Sequence, residues 1–457
     1  MFRAWLYKVL ASFVALTLAA CGSMEGTASP TSTAPLQYTG SSLVHTFGLN
    51  AAAQNIPPSF FGMTIERLAP DVPGVTAGLT PFPAFPVSLL RLWDVDYWAV
   101  IESTPGSFDW AKMDQTIAIA QRHGVKDFIF TFGHLPAWAS TQPADPCDGG
   151  YGPGSCAPPN IAAFDDFVTH VVQRYCGVVR YYETWNEPDF SGYWDGTDAQ
   201  LLIVAKHVYR IAKDPANCSA NNGPTPNQVI TPSVKGISQN SVTWLDTYLG
   251  AAGPTYPYAD IASFHGYGFS QPEALMSAVQ QLKAILTRHG LGDLPLWNTE
   301  ASWGSEDSQT DQQRAAWLLR YHAALALSGV SRFAWYAYDD CQWGTLWVTS
   351  ACTGVSGDSA ALNAPGRAYA VAESWLAGAN LALCNQYENG LWACELNRSQ
   401  GYTAWMLWST AATSIAVSIP ANTGLTVYRD WQNQVAPLPR HISVTGMPVL
   451  LETQDLP

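Results

Sequence analysis

The chain has 457 residues, is 47% hydrophobic and carries a formal net charge of -14. Such a length accommodates one large domain and a smaller one, and the composition excludes a disordered polymer. The acidic balance excludes nucleic acid, whose phosphates would be repelled.

In chain order, Arg3 and Lys8 supply the positive start of an export signal, and Val9–Ala20 supplies its apolar stretch. That stretch is too short for a comfortable membrane span. Leu18-Ala19-Ala20-Cys21 followed by Gly22 resembles the bacterial lipobox. The resemblance implies that residues 1–20 are removed and that Cys21 is lipidated. A plain secretory signal with an incidental Cys is the other reading. Residues 21–40 then form a small-residue tether. The protein is expected to be exported and anchored to a bacterial membrane only through its lipid. The outer membrane or cell surface is expected rather than the inner membrane, because Gly22 is not the aspartate that retains lipoproteins there.

Residues 41–57 hold a strand-like run, SSLVHTFGL, able to pair with a later β domain. From 58 to 377, β-like runs alternate with amphipathic helical stretches. The runs are 59–65, 87–93, 127–133, 179–185, 228–234, 260–266, 294–300 and 332–338. Most are apolar on both faces, as strands covered on both sides must be. Helical spacing marks 108–124, 160–175, 198–214, 241–250, 271–290, 308–329 and 364–378, and Gly124, Gly290 and Gly329 sit where helices end. This alternation predicts a (β/α)8 TIM barrel. An open doubly wound sheet is disfavoured because no Gly-rich phosphate turn follows an early strand. The stretch between the first two strands, APDVPGVTAGLTPFPAFP, is poorly helical. Residues 378–457 break into short strand-like runs with turns and predict an accessory β-sandwich.

Setting Cys21 aside leaves an even number of cysteines, which in an exported chain predicts disulfides. Sequence alone does not fix connectivity. Local spacing favours Cys147–Cys156, Cys176–Cys218, Cys341–Cys352 and Cys384–Cys394.

In a barrel, chemistry sits at the C-terminal strand ends. Polar and aromatic residues gather there: Arg91, Trp93 and Asp94; His134; Asn186 and Glu187; His265 and Tyr267; Glu300; and 335–340. Pro188 keeps Glu187 out of the α region and so ends the fourth strand at that carboxylate. Glu187 on strand four and Glu300 on strand seven lie on opposite sides of a closed ring. Two facing carboxylates suit glycoside hydrolysis, one as acid and the other as nucleophile or base.

The ordered set resembles clan A of the glycoside hydrolases, most like family 39 and its relatives. The match runs over roughly 58–377. Trp185-Asn186-Glu187-Pro188 matches the acid/base motif, and Trp297-Asn298-Thr299-Glu300 matches the nucleophile strand. The resemblance implies a retaining β-glycosidase with Glu187 as acid/base and Glu300 as nucleophile, working by double displacement. It also implies substrate-side roles for Arg91, His134, Asn186, His265, Tyr267 and Trp335. Arg91 and Tyr267 would contact the nucleophile, Asn186 the sugar 2-hydroxyl, and Trp335 would floor the glycone subsite. A carbohydrate is the expected partner. No cofactor and no metal is expected, and nothing in the sequence speaks to oligomeric state.

Other readings compete. Arg91 fits a structural ion pair with Asp94, His265 a core histidine, and Glu66 and Glu183 structural or substrate-side roles. The loop aromatics Trp138, Tyr193, Trp194, Trp303 and Trp343 fit packing as well as sugar stacking. Asp339 and Asp340 fit substrate hydroxyls or a cation. A non-catalytic carbohydrate-binding surface lipoprotein would be expected to lack one carboxylate. A metal-dependent barrel hydrolase would need more His or Asp ligands at strand ends.

Overall fold

A computed structural model describes residues 36, 38–48, 54–71, 79–147, 149–252, 258–305, 309–348, 352 and 361–456. The export signal, Cys21 and most of the tether lie outside these residues. Eight short parallel strands form one sheet: β1 (Phe61–Met63), β2 (Leu89–Arg91), β3 (Asp127–Thr131), β4 (Tyr181–Glu183), β5 (Gln228–Ile230), β6 (Ala262–His265), β7 (Leu296–Ala301) and β8 (Arg332–Trp335). The sheet runs β5-β4-β3-β2-β1-β8-β7-β6. Parallel bridges Ile230–Ile261 and Val234–Phe264 join its two edges, so the barrel closes.

The period of two along each strand sorts the interior into layers. Leu89, Ile129, Tyr181, Ile230, Ile261 and Trp297 form one apolar plug inside the ring. Two residues further along their strands come Arg91, Thr131, Glu183 and Thr299, all buried. The same alternation that fills the base of the barrel with apolar side chains therefore aims polar ones at its upper rim. The outward residues pack on helices α1 (Ala111–Arg122), α2 (Ile161–Arg174), α3 (Asp198–Lys213), α4 (Gln239–Ala252), α5 (Ala274–Arg288), α6 (Asp311–Leu327) and α7 (Ala364–Leu376). Capping boxes start α3 (Thr197 with Gln200) and α6 (Thr310 with Gln313). Gly124, Gly290 and Gly329 follow α1, α5 and α6 in the left-handed region, with φ of 91°, 76° and 68°. No helix lies among the described residues between β1 and β2, where proline recurs.

The C-terminal region is antiparallel. Strands Leu43–Gly48, Asn380–Tyr387, Leu391–Asn397, Thr403–Ser409, Val449–Glu452, Val427–Arg429 and Val435–Pro437 pair in that order. The N-terminal strand-like run thus joins the β domain, as its sequence allows. A second ribbon pairs Ile415–Ser418 with His441–Val444. Alternation again divides the large sheet. Leu391, Ala393, Trp405 and Leu407 meet Val417 and Val444 of the ribbon, and Trp392, Cys394, Met406 and Trp408 belong to the barrel's own core. The central strands of the sheet are buried on both faces, one inside the sandwich and one against the barrel.

Four disulfides are present: Cys147–Cys156, Cys176–Cys218, Cys341–Cys352 and Cys384–Cys394. They are the pairs that local spacing favours, and they place the protein in an oxidising, extracytoplasmic setting. Among the described residues, no helix is long and apolar enough to cross a membrane.

A buried ion pair of the barrel takes a hydrogen bond from the sandwich. Glu273 accepts from Arg320 Nε (2.7 Å) and Nη2 (2.6 Å) and from Trp408 Nε1 (2.7 Å). Both charged side chains are under 10% exposed. Breaking a buried pair on one side strands the other charge. Glu273→Ala is expected to lower unfolding stability by about 3 kcal/mol in denaturant titration, and Glu273→Gln by less, because the amide still accepts.

Candidate active site

Three consecutive strands end in residues with left-handed backbone: Asp94 (φ 63°) after β2, His134 (φ 46°) after β3 and Glu187 (φ 41°) after β4. Non-glycine residues seldom adopt this region, and such strain concentrates at functional sites. At Glu187 the following proline removes the helical alternative.

Arg91, fully buried, divides its donors among three side chains. Nε donates to Glu183 Oε2 (2.8 Å), Nη1 to Glu300 Oε2 (2.5 Å) and Nη2 to Asn186 Oδ1 (2.7 Å). Tyr267 Oη donates to Glu300 Oε1 (2.8 Å). His265 Nδ1 lies 2.7 Å from Glu187 Oε1 and 3.8 Å from Glu300 Oε2. Facing oxygens of Glu187 and Glu300 and a nitrogen of His265 all lie within 4.8 Å of one another. They are close enough to share a cation, but each is already engaged, His265 by Glu187 and Glu300 by Arg91 and Tyr267.

The two carboxyls differ in setting. Burial, then the charge of Asp189, pushes Glu187 up to about 8 against Lys235 and Arg91. Burial also raises Glu300, and Glu187 and Asp94 add to this; His265 and Arg91 oppose it. Glu187 lacks the direct Arg and Tyr donors that favour the ionised form of Glu300. Burial lowers His265 below the ordinary histidine range, against the charges of Glu300, Glu183 and Asp189.

A cleft of about 570 Å³ opens above these groups. Glu66, Asp94, Tyr336 and Asp340 line it together with Phe190, Tyr193 and Lys235. Tyr336 Oη donates to Asp94 (2.6 Å), and Lys235 Nζ sits 3.6 Å from the Phe190 ring centre. Burial and the neighbouring Asp94, Asp339 and Asp340 push Glu66 up to about 9, and burial takes Asp94 to about 6.

Five of the sequence-predicted residues converge with Glu187 and Glu300 or on their partners: Arg91, Asn186, His265, Tyr267 and, through Arg91, Glu183. Arg91 pairs with Glu183 and Glu300, and the direct partner of Asp94 is Tyr336, so the competing reading of Arg91 as an ion pair with Asp94 is not what the structure has. Two residues sit elsewhere than the sequence suggests. His134 is stacked among Trp93, Tyr97, Tyr151 and Tyr193 and is 1% exposed. It stands behind the cleft wall, where burial drops it to about 3. Trp335 does not floor the cleft. Arg332 packs over Tyr181 and Trp297 inside the barrel, so alternation turns Trp335 outward, onto Trp303, Trp317 and His322. Tyr336 takes the inward place. That parity is readable from the sequence once Arg332 is known to point in. Tyr151, Phe190, Lys235 and Gln342 were not legible as cleft residues, since all lie on loops after strand ends.

A sequence model of the glycosyl hydrolase catalytic core matches residues 162–369. The chain is a glycoside hydrolase. Its fold is that of clan A, most like family 39. The fold is similar to that of a family 39 glycoside hydrolase from the gut symbiont Bacteroides cellulosilyticus WH2, with 18% identity, a TM-score of 0.62 and coverage of 80% of this chain and 75% of that one. It is also similar to a family 39 β-xylosidase from Caulobacter crescentus (16% identity, TM-score 0.57, 88% and 98% covered). A family 30 subfamily 8 xylanase from Clostridium acetobutylicum is similar too (12% identity, TM-score 0.53, 80% and 89% covered). No curated protein sequence matches the chain.

The placement of the two strand-eight aromatics separates stability from binding in this hydrolase. Trp335→Ala is expected to cost about 3–5 kcal/mol of unfolding stability. Tyr336→Phe is expected to leave stability within about 1 kcal/mol and to raise KM for a glycoside that wild type cleaves. Denaturation and steady-state kinetics on both variants check this.

Proposed function

We propose that this chain is a retaining β-glycoside hydrolase in which Glu187 is the general acid/base and Glu300 the nucleophile. The observation that carries the reading is the approach of one facing oxygen of each carboxyl to within 4.8 Å, in unlike settings. Retaining enzymes hold them about 5–5.5 Å apart, whereas inverting ones need roughly 6.5–9.5 Å to admit a water. In the first step an oxygen of Glu300 gives its electron pair to the anomeric carbon as the glycosidic bond breaks. The departing oxygen takes the Glu187 proton. In the second step the Glu187 carboxylate removes a proton from water, the water oxygen bonds to the anomeric carbon, and the ester electrons return to Glu300. Asn186 spends its Oδ1 on Arg91, which leaves its Nδ2 to meet the sugar 2-hydroxyl.

The cleft supports a neutral glycone. Asp94 and Asp340 line it and would repel a uronic acid, whereas Glu66, pushed up to about 9, is uncharged near neutral pH. One structural neighbour is a β-xylosidase, so β-xylosides are the first substrates to try. The chain is further proposed to be exported, lipidated at Cys21 and active on an extracytoplasmic oligo- or polysaccharide; loss of palmitate incorporation in Cys21→Ser would be the matching result.

Activated 2-deoxy-2-fluoro β-glycosides are expected to form an adduct on Glu300, located by mass spectrometry in the peptide LPLWNTEASWG. Glu300→Gln should lose ~10⁴-fold in kcat/KM. Absence of any adduct together with glycan binding would instead mark a binding protein. The pH profile follows from the protonation states required. Activity needs Glu187 protonated, so it should fall as pH rises through about 8. It needs Glu300 ionised, so it should fall on the acid side at a pH above the ordinary carboxylate range.

A further inference from the structure

Glu183 takes no part in the steps above, yet it is fully buried one layer beneath them. Its Oε2 accepts from Arg91 Nε (2.8 Å) and Thr131 Oγ1 (2.7 Å), and its Oε1 accepts from Ser233 Oγ. Ser233 Oγ also meets Ser263 Oγ (2.7 Å) and Thr299 Oγ1 (2.9 Å). Burial alone would neutralise this carboxyl. Arg91, His265 and the hydroxyls outweigh burial and hold it below the ordinary carboxylate range.

Arg91 therefore faces two carboxylates of different fates. Glu183 keeps its charge throughout, whereas Glu300 loses its charge when it becomes an ester. In the free site the three groups carry one net negative charge, which favours the positive sugar of the transition state. In the glycosyl-enzyme, Glu183 still neutralises Arg91. Without Glu183, esterification would leave a buried guanidinium with no counter-charge, an arrangement that a dry interior strongly disfavours.

We propose that Glu183 is a positioning residue for glycosylation: through Arg91 it compensates the charge that Glu300 gives up on forming the ester. The inference rests on the retaining reading of this site.

Glu183→Gln removes the charge but keeps the shape, and Arg91 remains paired with Glu300, so the chain is expected to fold with a near-native melting temperature. The groups that face Glu300 are Arg91 and Asp94 from β2 and its end, Glu187 from the end of β4, and His265 and Tyr267 from β6 and its end. With Glu183 neutral, Arg91 pulls on Glu300 alone. The acid limb of kcat/KM should therefore move down by about one pH unit. With the aryl β-glycoside that wild type cleaves fastest, the glycosylation rate should fall ~100-fold. Deglycosylation should change by less than about tenfold, because a better-stabilised Glu300 carboxylate also leaves more readily. An unmoved acid limb, or equal losses in both steps, would overturn the proposal. If Glu183→Gln gives no folded protein, Glu183→Asp is the second variant. It draws the charge back from Arg91, so the same acid-limb shift is expected at reduced size, and its absence would be equally decisive. A Glu300→Gln enzyme as active as wild type would remove the retaining reading itself; an inactive Glu300→Gln beside an unperturbed Glu183→Gln would remove only this inference.

Discussion

The site depends on one buried guanidinium. Arg91 is a forked donor whose three nitrogens reach Glu183, Glu300 and Asn186 at once, and the planarity of the fork fixes those three side chains relative to each other. A lysine could neutralise charge here but could not set three directions. Arg91 reaches this place through strand parity. Leu89, two residues earlier, joins the apolar plug, and the next inward position on β2 lies one layer higher. The placement of the cation follows from the register of the barrel.

Around Arg91 the interior changes character over one layer. Below it lie Leu89, Ile129, Tyr181, Ile230, Ile261 and Trp297. Above the plug come Thr131, Thr231, Ser233, Ser263 and Thr299, all short hydroxyls. Short hydroxyls suit this layer because each both donates and accepts, rotates to fit, and gives up little side-chain entropy on burial. Longer polar side chains would have filled the space that the cleft occupies. The layer supplies Glu183 with donors and supports the rim residues from beneath, so the site is pre-organised before any sugar arrives.

Much of this was legible in the sequence because the relevant signals are periodic. The eight β-like runs, the helices between them and the terminal glycines follow from spacing, and each strand appears where its run predicts. The observed strands are shorter than the runs, since ladder pairing ends before the apolar pattern does. The ribbon strand His441–Val444 and the edge strand Val435–Pro437 were not foreseen. The edge strand is exposed along its length and ends in proline, which reads as loop, and the other alternates over too few residues to stand out. Within the site, the pair Glu187 and Glu300 was legible from strand ends. Trp335 misled because parity cannot be assigned until one residue on that strand is known to face inward. Tyr151 and Lys235 come from loops, whose path no periodicity encodes.

The sandwich contributes to this geometry through helix α6. On its barrel side, Tyr321 Oη donates to Gly266 O (2.7 Å), the carbonyl between His265 and Tyr267. Trp317 stacks on Tyr321 with ring centres 4.2 Å apart and donates to Phe269 O (3.3 Å). Arg320 of the same helix is held by Glu273, which also accepts from Trp408 of the sandwich. The helix is buried on almost every side, so it cannot shift without disturbing either the sheet or the strand-six end. Such bracing holds the end of strand six in place, because side-chain packing transmits displacement rather than absorbing it. The accessory domain thereby acts as a clamp on the residues that orient Glu187 and Glu300, a contribution that requires no contact between the sandwich and the sugar.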